Sequence, residues 1–256
     1  MYRHLVQLNV ATLQHPIDDP RIADFVDALP TVNEAGEQSP GYVWRLQSDS
    51  GDATDIKVFD DPLVIVNLTV WESLESLKAF AYRGIHRDFF RRRAEWFVPG
   101  STRTALWWVA AGSLPTTDDA RRRLEFIDVV GATPYAFAMG QTQPALVIER
   151  SRPDEACVDA TLDDEPAGFG EYRLVDDTTA EVTRIHVAQP ARGMRVGAAI
   201  VAELEALARA NGLSRLLLDT GREMVSLYER FGFHVCNGGG QGETTSSARV
   251  EKMLTA

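Results

Sequence analysis

The chemistry-bearing residues of this chain concentrate in Glu181–Phe233. Val182, Ile185 and Val187 mark an apolar-alternating run that reads as a strand. It meets a Pro/Gly/Arg loop, Gln189–Val196, and an Ala/Leu-rich helix follows at once. A strand, a loop rich in N–H groups and a helix N-terminus make an anion cradle. The loop amides point at the ligand and the helix dipole favours negative charge. Arg192 reads either as a phosphate clamp on that loop or as a solvated arginine. A second apolar strand, Ser214–Asp219, comes next, and then a short helix ending in Leu227-Tyr228-Glu229-Arg230-Phe231-Gly232-Phe233.

Three segments carry a family pattern: Val187-Ala188-Gln189-Pro190, Arg192-Gly193-Met194-Arg195-Val196-Gly197, and Leu227-Tyr228-Glu229-Arg230-Phe231-Gly232-Phe233. In order and spacing they resemble the GCN5-related N-acetyltransferase (GNAT) superfamily. The resemblance implies acetyl-CoA as co-substrate and direct attack by the amine of a small molecule or protein. It implies that Ile185, His186 and Val187 pair with the pantetheine arm as an added strand would. It also implies that Arg192, Gly193, Met194, Arg195, Val196, Gly197 and Ala198 hold the pyrophosphate. Tyr228 is then the acid that protonates the departing thiolate, a transfer open to a phenol of pKa about 10. A core tyrosine capping the sheet is the plainer reading.

Amine acetylation also needs a base. Glu181 opens the strand that flanks the acetyl group and can act through a water; otherwise it is a surface carboxylate. His186 is a rival with a suitable pKa, but alternation points it away from Ile185 and Val187, as a satisfied strand histidine would be. One residue departs from the pattern: Arg195 stands where the middle glycine belongs. It adds charge, but also a Cβ where a glycine lets the backbone approach a pyrophosphate.

These elements need a second half to hold them. Turn-rich segments Asp128–Pro134 and Gly140–Pro144 divide the chain near residue 140, giving domains 1–140 and 141–256. The stretch between Gly140 and Glu181 holds strands at Ala145–Glu149, Cys157–Leu162 and Gly168–Leu174, around a turn at Asp163-Asp164-Glu165-Pro166. It leaves no room for the two helices that shape a GNAT acceptor site, so the domain reads as a shortened one.

The first half reads strand Leu5–Ala11, helix Arg21–Leu29, strands Tyr42–Leu46 and Leu63–Trp71, a helix after an N-cap at Ser73, a resumed helix Ile85–Phe97, and strand Ala105–Ala110. Ser39-Pro40-Gly41-Tyr42-Val43-Trp44-Arg45-Leu46, Val70-Trp71-Glu72-Ser73, His86-Arg87 with Glu95-Trp96-Phe97, and Leu106-Trp107-Trp108-Val109-Ala110-Ala111-Gly112 resemble an uncharacterised bacterial family of the dimeric α/β-barrel type. That type is related in fold to antibiotic-biosynthesis monooxygenases. The expected fold class is therefore α+β, a ferredoxin-like dimeric barrel followed by the shortened GNAT fold. Its sheet is expected to leave one aromatic face open to a second copy, making a homodimer. His86 with Arg87, Arg91, Arg92 and Arg93 reads either as an anionic-ligand site or as a solvated helix face. Trp44, Trp71, Trp96, Trp107 and Trp108 read as core or as an aromatic cavity wall.

A net charge of −11 argues against a dedicated nucleic-acid binder, whose affinity comes from phosphate neutralisation. Cys157 and Cys236 make neither a metal spacing nor a disulfide framework, so no metal is expected. No apolar h-region and no membrane-length apolar stretch is seen, and a cytoplasmic enzyme is the expectation. Two other readings stay open: a non-catalytic dimeric ligand-binding protein with a degenerate GNAT fold, and an oxygenase-like activity in the first domain.

Overall fold

The computed structural model describes residues 2–82, 84–151, 156–236 and 246–254. It divides into two compact units: Met1–Ile127 with Ala136–Gln143, and Asp128–Tyr135 with Pro144–Ala256.

In the first unit, β1 (Arg3–Thr12), α1 (Ala23–Glu37), β2 (Tyr42–Arg45), β3 (Val64–Trp71), α2 (Leu74–Ala81), α3 (Gly84–Arg92) and β4 (Arg103–Ala110) follow the expected order. The strands form an antiparallel sheet in the order β2-β3-β1-β4. Ser73 caps α2 as read, its side chain accepting from Ser76 N. α1 runs past Leu29 and through Pro30 to Glu37. A proline there removes one helical bond. The helix continues because its far end still packs: Gly36 is buried, with the Phe80 ring 3.4 Å from where a Cβ would stand.

Both faces of this sheet are covered. Trp71 stacks on Phe80 of α2 at 5.3 Å, and Ile65 joins the Leu13–Ile22–Trp96 cluster. On the other face Val6, Leu8, Val66, Leu68, Ala105 and Trp107 pack against Val58 and against Ala120 and Leu124 of a further helix, α4 (Thr117–Val130). The sequence reading did not assign α4 and left this face open to a second copy. The structure corrects that premise: Trp107 is 1 % exposed within one chain. The missed signal was a reciprocal cap. Thr116 Oγ1 accepts from Asp119 N at 3.1 Å, while Asp119 Oδ2 accepts from Thr116 N at 2.8 Å.

The second unit contains β5 (Leu146–Arg150), β6 (Cys157–Leu162), β7 (Glu165–Leu174), β8 (Thr179–Val187), α5 (Val196–Ala210), β9 (Arg215–Gly221), α6 (Val225–Arg230), β10 (His234–Val235) and β11 (Ser247–Met253). Its sheet has the order β10-β11-β9-β8-β7-β6-β5. All pairings are antiparallel except β8–β9, which α5 joins as a crossover. The short link from Arg150 to Cys157 has no length for two helices, as the sequence indicated.

Two glycines let α5 lie close on β7. A Cβ on Gly170 would overlap Ile200 Cγ2, and one on Gly168 would overlap the His186 carbonyl. Ile185 and Val187 share that face, their methyls approaching Gly197 of α5. Side chains alternate along the strand, so Arg184 and His186 point to the opposite face. There His186 stacks on Phe169 at 5.6 Å.

Candidate functional site at the split between two parallel strands

β8 and β9 are paired only over Thr179–Val182 and Arg215–Leu218. Directly after the last pair the β7–β8 register shifts, with Val182 opposite Tyr172 and Arg184 opposite Glu171. Thr183 is therefore the extra residue of a bulge. A bulge bends its strand, and here it turns β8 away from β9. The split encloses a cavity of about 400 Å³ between Glu181–Ile185 and Leu218–Asp219, with Arg173 on its rim. Beyond Val182 the β9-facing edge of β8 has no ladder partner among the described strands. Such an edge can take an extended chain.

The split leads into the loop. Gln189–Ala191 form a 3₁₀ turn, Gly193 has φ +82°, and Arg195 starts α5 with φ 62° and ψ 19°. No side chain among the described residues caps α5, which leaves its first-turn amides available to an anion. Arg192 donates through Nε to the Val187 carbonyl at 3.3 Å, which folds it back along the strand end. Arg195 occupies the left-handed region that a glycine would take without strain, and its exposed side chain has no partner among the described residues. The structure thus brings Ile185, Val187 and the whole segment Arg192–Ala198 to one end of the split. The imidazole of His186 lies on the other face.

Glu181 has a different surrounding from the one a free base needs. It is 8 % exposed. Its Oε2 accepts from Arg173 Nε at 2.8 Å and Nη2 at 2.5 Å, and its Oε1 accepts from Arg249 Nη2 at 2.6 Å. Both oxygens already accept from guanidinium groups. The geometry makes Glu181 an anchor for two arginines. Arg249 also binds Asp219, Nε to Oδ1 at 2.7 Å and Nη2 to Oδ2 at 2.8 Å. This hydrogen bond holds the Asp219 carboxyl below its ordinary range. Arg249, Asp219, Glu181 and Arg173 thus form a row across β11, β9, β8 and β7 at the base of the split. Sequence reasoning found only Glu181 of these. Arg173 was within reach, since the β7–β8 hairpin pairs it with Glu181. Arg249 gave no local signal.

Tyr228 sits on α6, 6 % exposed, with its ring edge-on to Phe233 at 5.7 Å. Burial pushes its phenol up, so it stays protonated through neutral pH.

Elsewhere the alternatives thin out. Trp71, Trp96 and Trp107 are core residues. The His86 side chain lies outside the described residues, while Arg92 pairs with Asp24 at 2.9 Å and Glu95 at 2.8 Å. Among the described residues no group of three or more His, Cys, Asp or Glu is placed to hold a metal, and no helix is long and apolar enough to cross a membrane.

Comparison with known proteins gives two family matches. Residues 4–152 match a domain of unknown function (DUF3291), and residues 126–233 match the acetyltransferase (GNAT) family. No curated protein matches. Among solved structures, the chain is similar to Ard1 from Thermoplasma volcanium, with 17% identity, TM-score 0.35, and coverage of 40% of this chain and 72% of that one. It is similar to a GNAT family acetyltransferase from Elizabethkingia anophelis with acetyl-CoA bound, with 17% identity, TM-score 0.33, and coverage of 38% and 75%. It is also similar to a Bacillus subtilis acetyltransferase in complex with CoA, with 20% identity, TM-score 0.34, and coverage of 39% and 76%.

Proposed function

Since the chain belongs to the DUF3291 family and carries an acetyltransferase (GNAT) domain, we propose that its second unit transfers an acetyl group from acetyl-CoA to an amine. The observation that carries this is the continuity of the site. β8 leaves β9 at Thr183, and the strand edge it frees runs straight into the uncapped start of α5. One end suits an extended arm and the other a diphosphate.

In this reading the β8 edge from Ile185 to Val187 takes the pantetheine, and Arg192–Ala198 take the diphosphate. The acceptor nitrogen attacks the thioester carbon, a C–N bond forms and the C–S bond breaks. Tyr228 gives its proton to the leaving sulfur, and the proton lost by nitrogen passes to solvent. A cytoplasmic location belongs to the same proposal, because the donor is made and used there. For the first unit we propose a ferredoxin-like fold, supported by its β-α-β-β-α-β order and its strand order β2-β3-β1-β4. Any pairing with a second copy has to use a surface other than the one α4 fills.

A second reading, a donor-binding protein without turnover, draws support from the engaged state of Glu181. Calorimetry with acetyl-CoA on the full chain, followed by a thiol-release assay with amines, separates the two. Binding with release supports transfer. Binding without release for any amine supports the second reading, and absence of binding overturns both.

A further inference from the structure

We propose that the acceptor amine also carries a carboxylate, and that Arg184 is the residue that selects it. This rests on the acyl-transfer reading above. The donor elements all lie toward α5: Ile185 and Val187 share its face and the cradle is its N-terminus. Arg184 follows the bulged Thr183, points to the opposite face and lines the same cavity. An acceptor approaching the thioester from the side away from the donor therefore meets Arg184.

Two guanidiniums line this cavity, those of Arg173 and Arg184, and a third, that of Arg249, binds its Glu181 and Asp219. Arg173 is engaged with Glu181, and Arg249 is engaged with both Glu181 and Asp219. Among the described residues the carboxylate paired with Arg184 is Glu171, whose Oε1 lies 3.5 Å from Nε, too long for a strong bond. Among the described residues the terminal nitrogens of Arg184 have no partner, and its side chain is 64 % exposed. A planar fork with two free donors matches a carboxylate edge. Asp219, exposed and held ionised by Arg249, lines the same cavity and offers the amine end a counter-charge. A cavity of about 400 Å³ is the size of a small molecule. Glu171 lies beside the fork and Glu181 and Asp219 line the same cavity, so a singly charged carboxylate is accepted more readily than a phosphate carrying nearly two charges. The predicted class is therefore a free amino acid or a similar carboxylated amine.

The test uses the full chain with acetyl-CoA and reads coenzyme A release. The panel sets common L-amino acids beside amines that lack the carboxylate (cadaverine, tyramine, histamine) and beside phosphoethanolamine. The expected result is a kcat/KM at least roughly 10-fold higher for an amino acid than for its matching amine. Arg184→Gln should erase that preference by raising KM for the amino acid roughly 10- to 100-fold, with the matching amine and the Kd for acetyl-CoA unmoved. Arg184→Lys should restore part of it. A merely structural arginine would not change the ratio between paired substrates. Equal or better turnover of the amines, preference for phosphoethanolamine, an unchanged ratio in Arg184→Gln, or turnover of other amines but of no amino acid would each overturn the acceptor assignment alone, whereas acetyl-CoA binding with no turnover of any amine would overturn the acyl-transfer reading. Failure to bind acetyl-CoA would also overturn the acyl-transfer reading, and the acceptor with it.

Discussion

Arg249 of β11 reaches Glu181 of β8 at 2.6 Å, across the intervening strand β9, and binds Asp219 of β9 on the way. One guanidinium therefore joins the two parallel strands at the point where they part. Replacing it should loosen the base of the split and leave a buried carboxylate with Arg173 as its remaining guanidinium. Arg249→Gln should cost about 1–3 kcal/mol in urea denaturation, with Arg249→Lys closer to the parent. A midpoint unchanged in Arg249→Gln would show that the row contributes nothing to stability.

The same contact sets a pH dependence. The hydrogen bond from Arg249 depresses the Asp219 carboxyl below the 3.8 of a free aspartate. A carboxylate depressed in the folded state stabilises the fold above its unfolded value. That contribution fades as pH falls through the folded one. The parent should lose stability below pH 3.8 more steeply than Arg249→Gln, and the two curves should run parallel above it. Parallel curves throughout would remove the link to Asp219.

Arg195 holds φ 62° with no partner for its side chain among the described residues. A non-glycine residue there is strained by about 1–2 kcal/mol, while a glycine loses about 0.5–1 kcal/mol more chain entropy on folding. Arg195→Gly should therefore leave thermal stability within about 1 kcal/mol of the parent. Its affinity for acetyl-CoA should fall by about 1–3 kcal/mol, because a charge facing the phosphates is lost. Tighter binding by the glycine variant, measured by calorimetry, would mean that the Cβ obstructs the loop.

Tyr228→Phe keeps the ring that packs on Phe233 and removes the proton donor. Transfer should slow by about 10²-fold or more with acetyl-CoA affinity intact. Burial raises the phenol, so the parent rate should not decline from loss of this proton until pH passes 10. A phenylalanine variant with parental kcat would make Tyr228 a packing residue.

Gly170→Ala should destabilise the second unit by about 1–3 kcal/mol, since its Cβ overlaps Ile200 Cγ2 and stands 3.0 Å from Leu204 Cδ1. Ile200→Ala in the same chain should recover part of that loss, because the obstructing methyl goes. If the pair adds as two independent losses in denaturant, α5 does not lie on β7 as described.

The cradle was legible because it is contiguous. Val187, the loop through Arg195 and the start of α5 lie within a few residues, and strand, turn and helix signals act over that range. The hairpin turn at Asp163-Asp164 was legible for the same reason; both residues take positive φ, as a tight turn demands. Tertiary structure alone decided two matters. One is the row Arg173–Glu181–Asp219–Arg249, in which register brings together residues 68 positions apart in sequence and so sets Glu181 between two arginines. The other is the covering of the first sheet. A strand's alternation shows that Val6, Leu8 and Trp107 need burial, but not whether a second copy or Leu124 of the same chain provides it. That choice rests on where α4 packs, and no local pattern encodes it.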